Sequence, residues 1–137
     1  MKIVICGSMT ACREMLGIGN KLRESGHEVV LPDFTEEYAE LSSQSEMHEE
    51  SARNKIEHDL IRGYFEEIKR SDAVLICNFD KNGVKNYIGG NTFLEMGFAH
   101  VLRKKIFLLN PIPESSYRDE LIAMGPVVLE GDLEKIK

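Results

Sequence analysis

The stretch DAVLICNFDKNGVKNYIGGNTFLEMGFAHVLRKKIFLLN, residues Asp72–Asn110, decides the fold. It opens on the buried-type run Ala73-Val74-Leu75-Ile76-Cys77 and closes on a second apolar run that ends at Leu109. Between them lie a loop and a segment with helical spacing. Strand, crossover helix and strand in this order are the unit of a parallel sheet. Connections inside such units usually run about 2–6 residues, and longer ones without structure of their own tend to carry function. The connection from Asn78 to Gly90 is about twice that length. It contains Asn82-Gly83 and Gly89-Gly90, pairs that adopt positive φ or let a ligand approach the backbone.

Gly90-Asn91-Thr92 supplies helix-cap chemistry, which places Glu95 in the first turns of the helix that follows. Phe98, Ala99 and Leu102 stand at i+3, i+4 and i+7 from Glu95, so the carboxylate falls on an apolar face. Two readings fit this spacing. Glu95 is either an acid paired with the helix dipole at a solvated edge, or a reactive carboxylate at the mouth of a crevice. Ligands of open α/β sheets bind outside the carboxyl ends of the strands, where this loop must lie. Asn78 ends the same strand and is a candidate ligand-binding amide, able to donate and accept. Tyr87 either stacks on a planar ligand or anchors the loop. Gly89, Gly90 and Asn91 join the candidate binding list.

Working outward, Lys2 to Cys6 forms a first strand ending at a Gly7-Ser8 turn. Met15, Ile18 and Leu22 give Thr10 to Ser25 a helical stripe, and Gly26 stands where a left-handed cap would end that helix. Gly7 and Ser8 either hold a phosphate or a ribose hydroxyl or make an ordinary strand-to-helix turn. No G-x-G-x-x-G or phosphate-loop pattern is present. A second strand spans His27 to Leu31. Asp33 to Ser51 is acidic and polar and keeps no period, which suits a mobile lid or a loosely attached helix. Ile56, Leu60, Ile61, Tyr64, Phe65 and Ile68 then predict a helix over Ala52 to Arg70. Lys105 to Leu109 is the fourth strand, Glu114 to Met124 a short helix, and Val127 to Leu129 the fifth strand. Asn110 sits at the crevice end. Asp72, at the opposite end of its strand, reads as structural.

Composition sets the outer bounds. The 137 residues make one domain, 1–137, and 42% hydrophobic content suits a globular core. A net charge of −6 argues against a nucleic-acid surface, which needs clustered Lys and Arg. No stretch approaches the roughly 18 apolar residues of a membrane span, and the chain enters a strand at once, so a cytoplasmic protein is expected. Cys6 and Cys77 read as buried free thiols. With neither a CxxC nor a Cys/His cluster at zinc spacing, no metal and no cofactor are expected.

The runs DAVLICN and NYIGGNTFLEMGFAHVLRKKIFLLN, with the opening KIVICGSM, resemble the nucleoside 2-deoxyribosyltransferase-like superfamily, which includes deoxynucleoside 5′-monophosphate N-glycosidases. The most telling element is the glycine-rich approach to a helix reading Glu-x-Gly-x-Ala, matched by Glu95, Gly97 and Ala99. The resemblance covers most of the chain. It implies a flavodoxin-like five-stranded parallel sheet, order 2-1-3-4-5, with helices on both faces. It implies Glu95 as nucleophile, Gly7, Ser8 and Met9 as part of the nucleotide site, and Asn110 near a sugar- or phosphate-binding position. A small-molecule nucleoside or nucleotide is the implied partner, and a homodimer or larger homo-oligomer the implied assembly. The chain departs from the pattern at one position. Many relatives place an aspartate eight residues before the Ser/Ala-Asp pair to assist departure of the base, and Tyr64 stands there. Tyr64, His58 or another group brought by the loop is left as the acid, although a phenol of ordinary pKa near 10 is a poor one at neutrality.

Two functions follow. The first is cleavage of an N-glycosidic bond, by hydrolysis or deoxyribosyl transfer, through the Glu95 carboxylate. The second is a nucleotide-binding or sensing module without turnover. A flavodoxin-like electron carrier fits poorly, given no Trp and no hydroxyl-rich loop after the first strand.

Overall fold

A computed structural model describes residues 1–33, 35 and 59–137. The strands are β1 (Lys2–Gly7), β2 (Glu28–Val30), β3 (Ala73–Cys77), β4 (Lys105–Leu108) and β5 (Val127–Val128). All pairings are parallel and the order is β2-β1-β3-β4-β5. The described helices are α1 (Cys12–Glu24), α2 (Leu60–Lys69), α3 (Gly90–Val101) and α4 (Arg118–Ala123). Single 3-10 turns span Met9–Ala11 and Leu133–Lys135. None of the described helices is long and apolar enough to cross a membrane.

Alternation along the strands divides the core between two faces. Ile3 and Ile5 of β1 point with Leu75 and Cys77 of β3 toward Met15 and Leu22 of α1. Val4 and Cys6 point the other way, with Val74 and Ile76, toward Ile68 of α2, Met96 and Ala99 of α3 and Leu121 of α4. Every residue of β3 is buried, as expected of a central parallel strand covered on both sides. Each fully buried Ile or Leu here contributes about 1.5–3 kcal/mol of transfer free energy. The layers are thus helix, sheet, helix.

Local chemistry sets where the elements stop. Gly26 takes φ +93, its N–H donates to Arg23 O, and the His27 N–H reaches back to Leu22 O, the doubly bonded left-handed cap that the glycine signalled. At the other end of the sheet Asp72 Oδ2 accepts from the Lys2 N–H at 2.7 Å, so this acid joins β1 to the start of β3.

Two helix starts differ from expectation. Of the helix expected over Ala52 to Arg70, the described part begins at Leu60, after Asp59, whose φ of 47 is left-handed. The remainder of that segment, His58 and nearly all of the Asp33–Ser51 stretch lie outside the described residues. Helix α3 has Gly89 as its cap residue and no side-chain cap bond, so Asn91 and Thr92 are inside its first turn. Glu95 is then the sixth helical residue, two or three residues deeper than capping by Asn91 or Thr92 would put it.

Candidate active site

The strand order reverses between β1 and β3, and a crevice opens where their carboxyl ends diverge, as an open α/β sheet requires. It encloses a cavity of about 210 Å³. Gly7 closes β1, and Ser8, Met9 and Thr10 form the turn into α1. Pro32 and Asp33 follow β2, while Leu60, Ile61 and Tyr64 come from α2. The β3–α3 connection brings Lys81, Tyr87 and Gly89, and α3 adds Gly90, Asn91, Thr92 and Glu95. Eight of the candidates named from the sequence (Gly7, Ser8, Met9, Tyr64, Tyr87, Gly89, Gly90 and Asn91) thus meet Glu95 on one wall system.

Glu95 is only 7% exposed, which excludes the solvated-edge reading. Helix packing explains its depth. Met96 and Ala99 are pinned against the sheet, which turns Glu95 inward beside the end of β1. There it meets the Cys6 thiol, which hydrogen-bonds to it. Burial first, and then the Glu95 charge, hold the Cys6 pKa well above that of an ordinary thiol, so Cys6 stays protonated and is a donor rather than a nucleophile.

Glycines define the approach of the backbone. A methyl group at Gly7 would stand 2.9 Å from Met15 Sδ and 3.1 Å from the Cys77 carbonyl oxygen, so only glycine lets β1 turn this close to β3. At Gly89 the added carbon would lie 3.0 Å from Tyr87 Oη. The Tyr87 ring therefore rests on the glycine that leads into α3. Its position along the loop is set by a hydrogen bond from its N–H to Phe79 O at 3.0 Å.

Three candidates have other tasks. Asn78 and Asn110 do not line the crevice. Asn78 Nδ2 donates to the carbonyls of Asn110 (2.9 Å) and Pro111 (3.1 Å), its Oδ1 accepts from Asn110 N–H (2.9 Å), and Asn110 Nδ2 donates to Asn78 O (3.0 Å). The two amides clasp the ends of β3 and β4. Tyr64 does line the crevice, but its hydroxyl proton goes to Ile5 O. Burial, then the neighbouring Cys6 and Glu95, push its pKa well above the ordinary phenol value. Such a phenol is unsuited to protonating a leaving base at neutral pH.

Sequence reading passed over Lys81, Thr10, Thr92 and Asp33, all of which line the cavity. Lys81 had one visible signal. It directly precedes Asn82-Gly83, which here take φ 51 and 78 in a two-residue turn closed by Lys81 N–H to Val84 O (3.0 Å) and Val84 N–H to Lys81 O (2.9 Å). The turn folds the loop back so that Lys81 Nζ lies 3.0 Å from Ser8 Oγ, and 5.2 Å from the centre of the Tyr87 ring. Among the described residues, no three His, Cys, Asp or Glu side chains gather closely enough to hold a metal ion.

No family model and no curated protein matches the chain. Among solved structures it is similar to the Clostridium botulinum CMP N-glycosidase BcmB, with a TM-score of 0.50 and 18% identity over 93% of this chain and 85% of that one. The likeness is one of fold, and it agrees with the parallel five-stranded sheet that the sequence led us to expect. The chain has the α/β fold of an N-glycosidase, five parallel strands in the order 2-1-3-4-5.

Proposed function

We propose that this protein cleaves the N-glycosidic bond of a deoxynucleoside or its 5′-monophosphate, with Glu95 as nucleophile. The observation that carries the reading is a glutamate, 7% exposed, set into the wall of the crevice at the switch point of the sheet. A carboxylate so placed borders the cavity in which a ligand would sit. The fold shared with an N-glycosidase supports the same class of chemistry.

In this mechanism a Glu95 carboxylate oxygen attacks the anomeric carbon. The bond from that carbon to the base nitrogen breaks, its electron pair leaves with the base, and a glycosyl ester of Glu95 forms. Water then attacks the same carbon, returning the carboxylate and releasing the sugar with its configuration retained after two inversions. A second base in place of water gives transfer. The base takes up its proton from a group other than Tyr64, whose hydroxyl is committed to Ile5 O. A homo-oligomer completes the reading, and a light-scattering mass equal to the 15.5 kDa monomer would contradict it.

The test is chromatography of free base released from a panel of deoxynucleosides and nucleotides, CMP included, with and without an acceptor base. Wild type is compared with Glu95→Gln. Release that needs no acceptor identifies a hydrolase, and a new nucleoside identifies a transferase. Full activity in Glu95→Gln sinks the nucleophile. Tight binding with no release from any substrate moves the protein to the sensing class.

A further inference from the structure

Three charged side chains among the described residues line the cavity: Asp33, Glu95 and Lys81. Two of them repel an anion. Lys81 alone attracts one, and it stands at the wall formed by Ser8 and Thr10, whose hydroxyl oxygens are 2.9 Å apart. Lys81 Nζ donates to Ser8 Oγ at 3.0 Å. An ammonium on Ser8, whose hydroxyl in turn meets that of Thr10, makes a chain of donors suited to phosphate oxygens.

The loop holds this ammonium in place without any ligand. The Asn82-Gly83 turn fixes the Lys81 backbone through two hydrogen bonds to Val84. Asp80 Oδ1 accepts from the Asn86 N–H at 2.9 Å, and Tyr87 N–H bonds Phe79 O, closing the loop on either side. The Tyr87 ring faces the ammonium at 5.2 Å, within cation–π range. Glu95 and Lys81 reach one cavity from different elements, the carboxylate from α3 and the ammonium from the β3–α3 loop.

We infer that Lys81 is the residue that makes the site select a phosphorylated substrate, its ammonium gripping the 5′-phosphate at the Ser8–Thr10 wall while the sugar lies toward Glu95. The inference rests on the proposed reading of the crevice as a nucleoside or nucleotide site, and it names which of the two is preferred and by what. The phosphate takes over the hydrogen bond that Lys81 now gives Ser8. The Ser8 hydroxyl is then free to turn its own proton toward the same phosphate.

The test compares kcat/KM for a deoxynucleoside 5′-monophosphate with that for the matching deoxynucleoside, in wild type, Lys81→Met and Lys81→Arg. Wild type should prefer the monophosphate. In Lys81→Met that ratio should fall by about 10- to 100-fold, the scale of one hydrogen bond to a charged group, with the loss in KM rather than kcat. Lys81→Arg should recover part of it. Equal losses on both substrates, or an unchanged ratio, overturn the assignment. Should wild type cleave neither compound, the catalytic reading fails separately, and Lys81 is tested by calorimetric titration with the same pair. Phosphate-dependent affinity lost in Lys81→Met then upholds the grip, and equal affinity for the two compounds, or binding of neither, overturns it.

Discussion

The hydroxyl of Tyr64 donates to the backbone carbonyl of Ile5, joining α2 to β1. A buried phenol with its proton on a main-chain oxygen is a fastener. Tyr64→Phe should therefore cost about 1–3 kcal/mol of stability, because the Ile5 carbonyl loses its partner in a buried place. It should leave kcat within a few-fold of wild type. Urea unfolding read beside steady-state kinetics checks both halves, and a kcat loss above a hundredfold at unchanged stability would restore Tyr64 as the acid.

The clasp between Asn78 and Asn110 predicts a different signature. Asn78→Ala removes two donated bonds and one accepted bond, leaving three main-chain groups of the β4 exit without partners. The expected loss is about 2–4 kcal/mol, read as a fall in the urea midpoint, with KM little changed. A KM increase without loss of stability would return Asn78 to the binding residues.

How far the fold was legible is clear from particular residues. AVLIC at 73–77 reads as a strand buried on both faces because nothing in it is polar, and Gly26 marks a helix end because it takes the one conformation other residues resist. These are local signals. Glu95 was legible as an acid on an apolar face, and its depth followed from Met96 and Ala99 on the same helix. The clasp between Asn78 and Asn110 was not legible, because an amide at a strand end looks the same whether it faces a ligand or a neighbouring strand. The partner is 32 residues away, and only the register of β3 with β4 brings it near. Lys81 was missed for the same reason, since its contact with Ser8 spans 73 residues. The left-handed Asp59 ahead of α2 was hidden because the apolar stripe of the sequence runs on across it.

The buried thiols carry a pH dependence. Burial pushes Cys77 up to about 12, and Cys6 well above the ordinary value by burial and the Glu95 charge. A thiol whose pKa is higher when folded binds its proton more tightly in the native state. Its contribution is complete below the unfolded pKa of about 8.5 and is lost as pH rises through the folded value. Stability should thus be flat near neutrality and fall above about pH 8.5, by about 1.4 kcal/mol per pH unit for each such thiol. Urea midpoints between pH 7 and pH 10 test this, with Cys77→Ala expected to reduce the slope by one thiol's share. Native protein at pH 8 should also resist alkylation at Cys6 and Cys77, both buried, and accept it once unfolded.

Gly89 separates a steric role from a conformational one. Its φ is −82 and its ψ 174, extended values open to any residue, so alanine brings no backbone strain. The added methyl meets Tyr87 instead, 3.0 Å from Oη and 3.1 Å from Cε1. Tyr87 is tethered through its own backbone at Phe79, so the ring must swing rather than the loop slide. A swung ring leaves Lys81 without its aromatic face and narrows the cavity at the entrance to α3. Gly89→Ala should accordingly raise KM about tenfold or more while changing stability by less than about 1 kcal/mol, the pattern of a displaced contact rather than a damaged core. Steady-state kinetics and thermal unfolding on the same preparation decide it. A stability loss with KM unchanged would show that Tyr87 anchors the loop and does not meet the substrate.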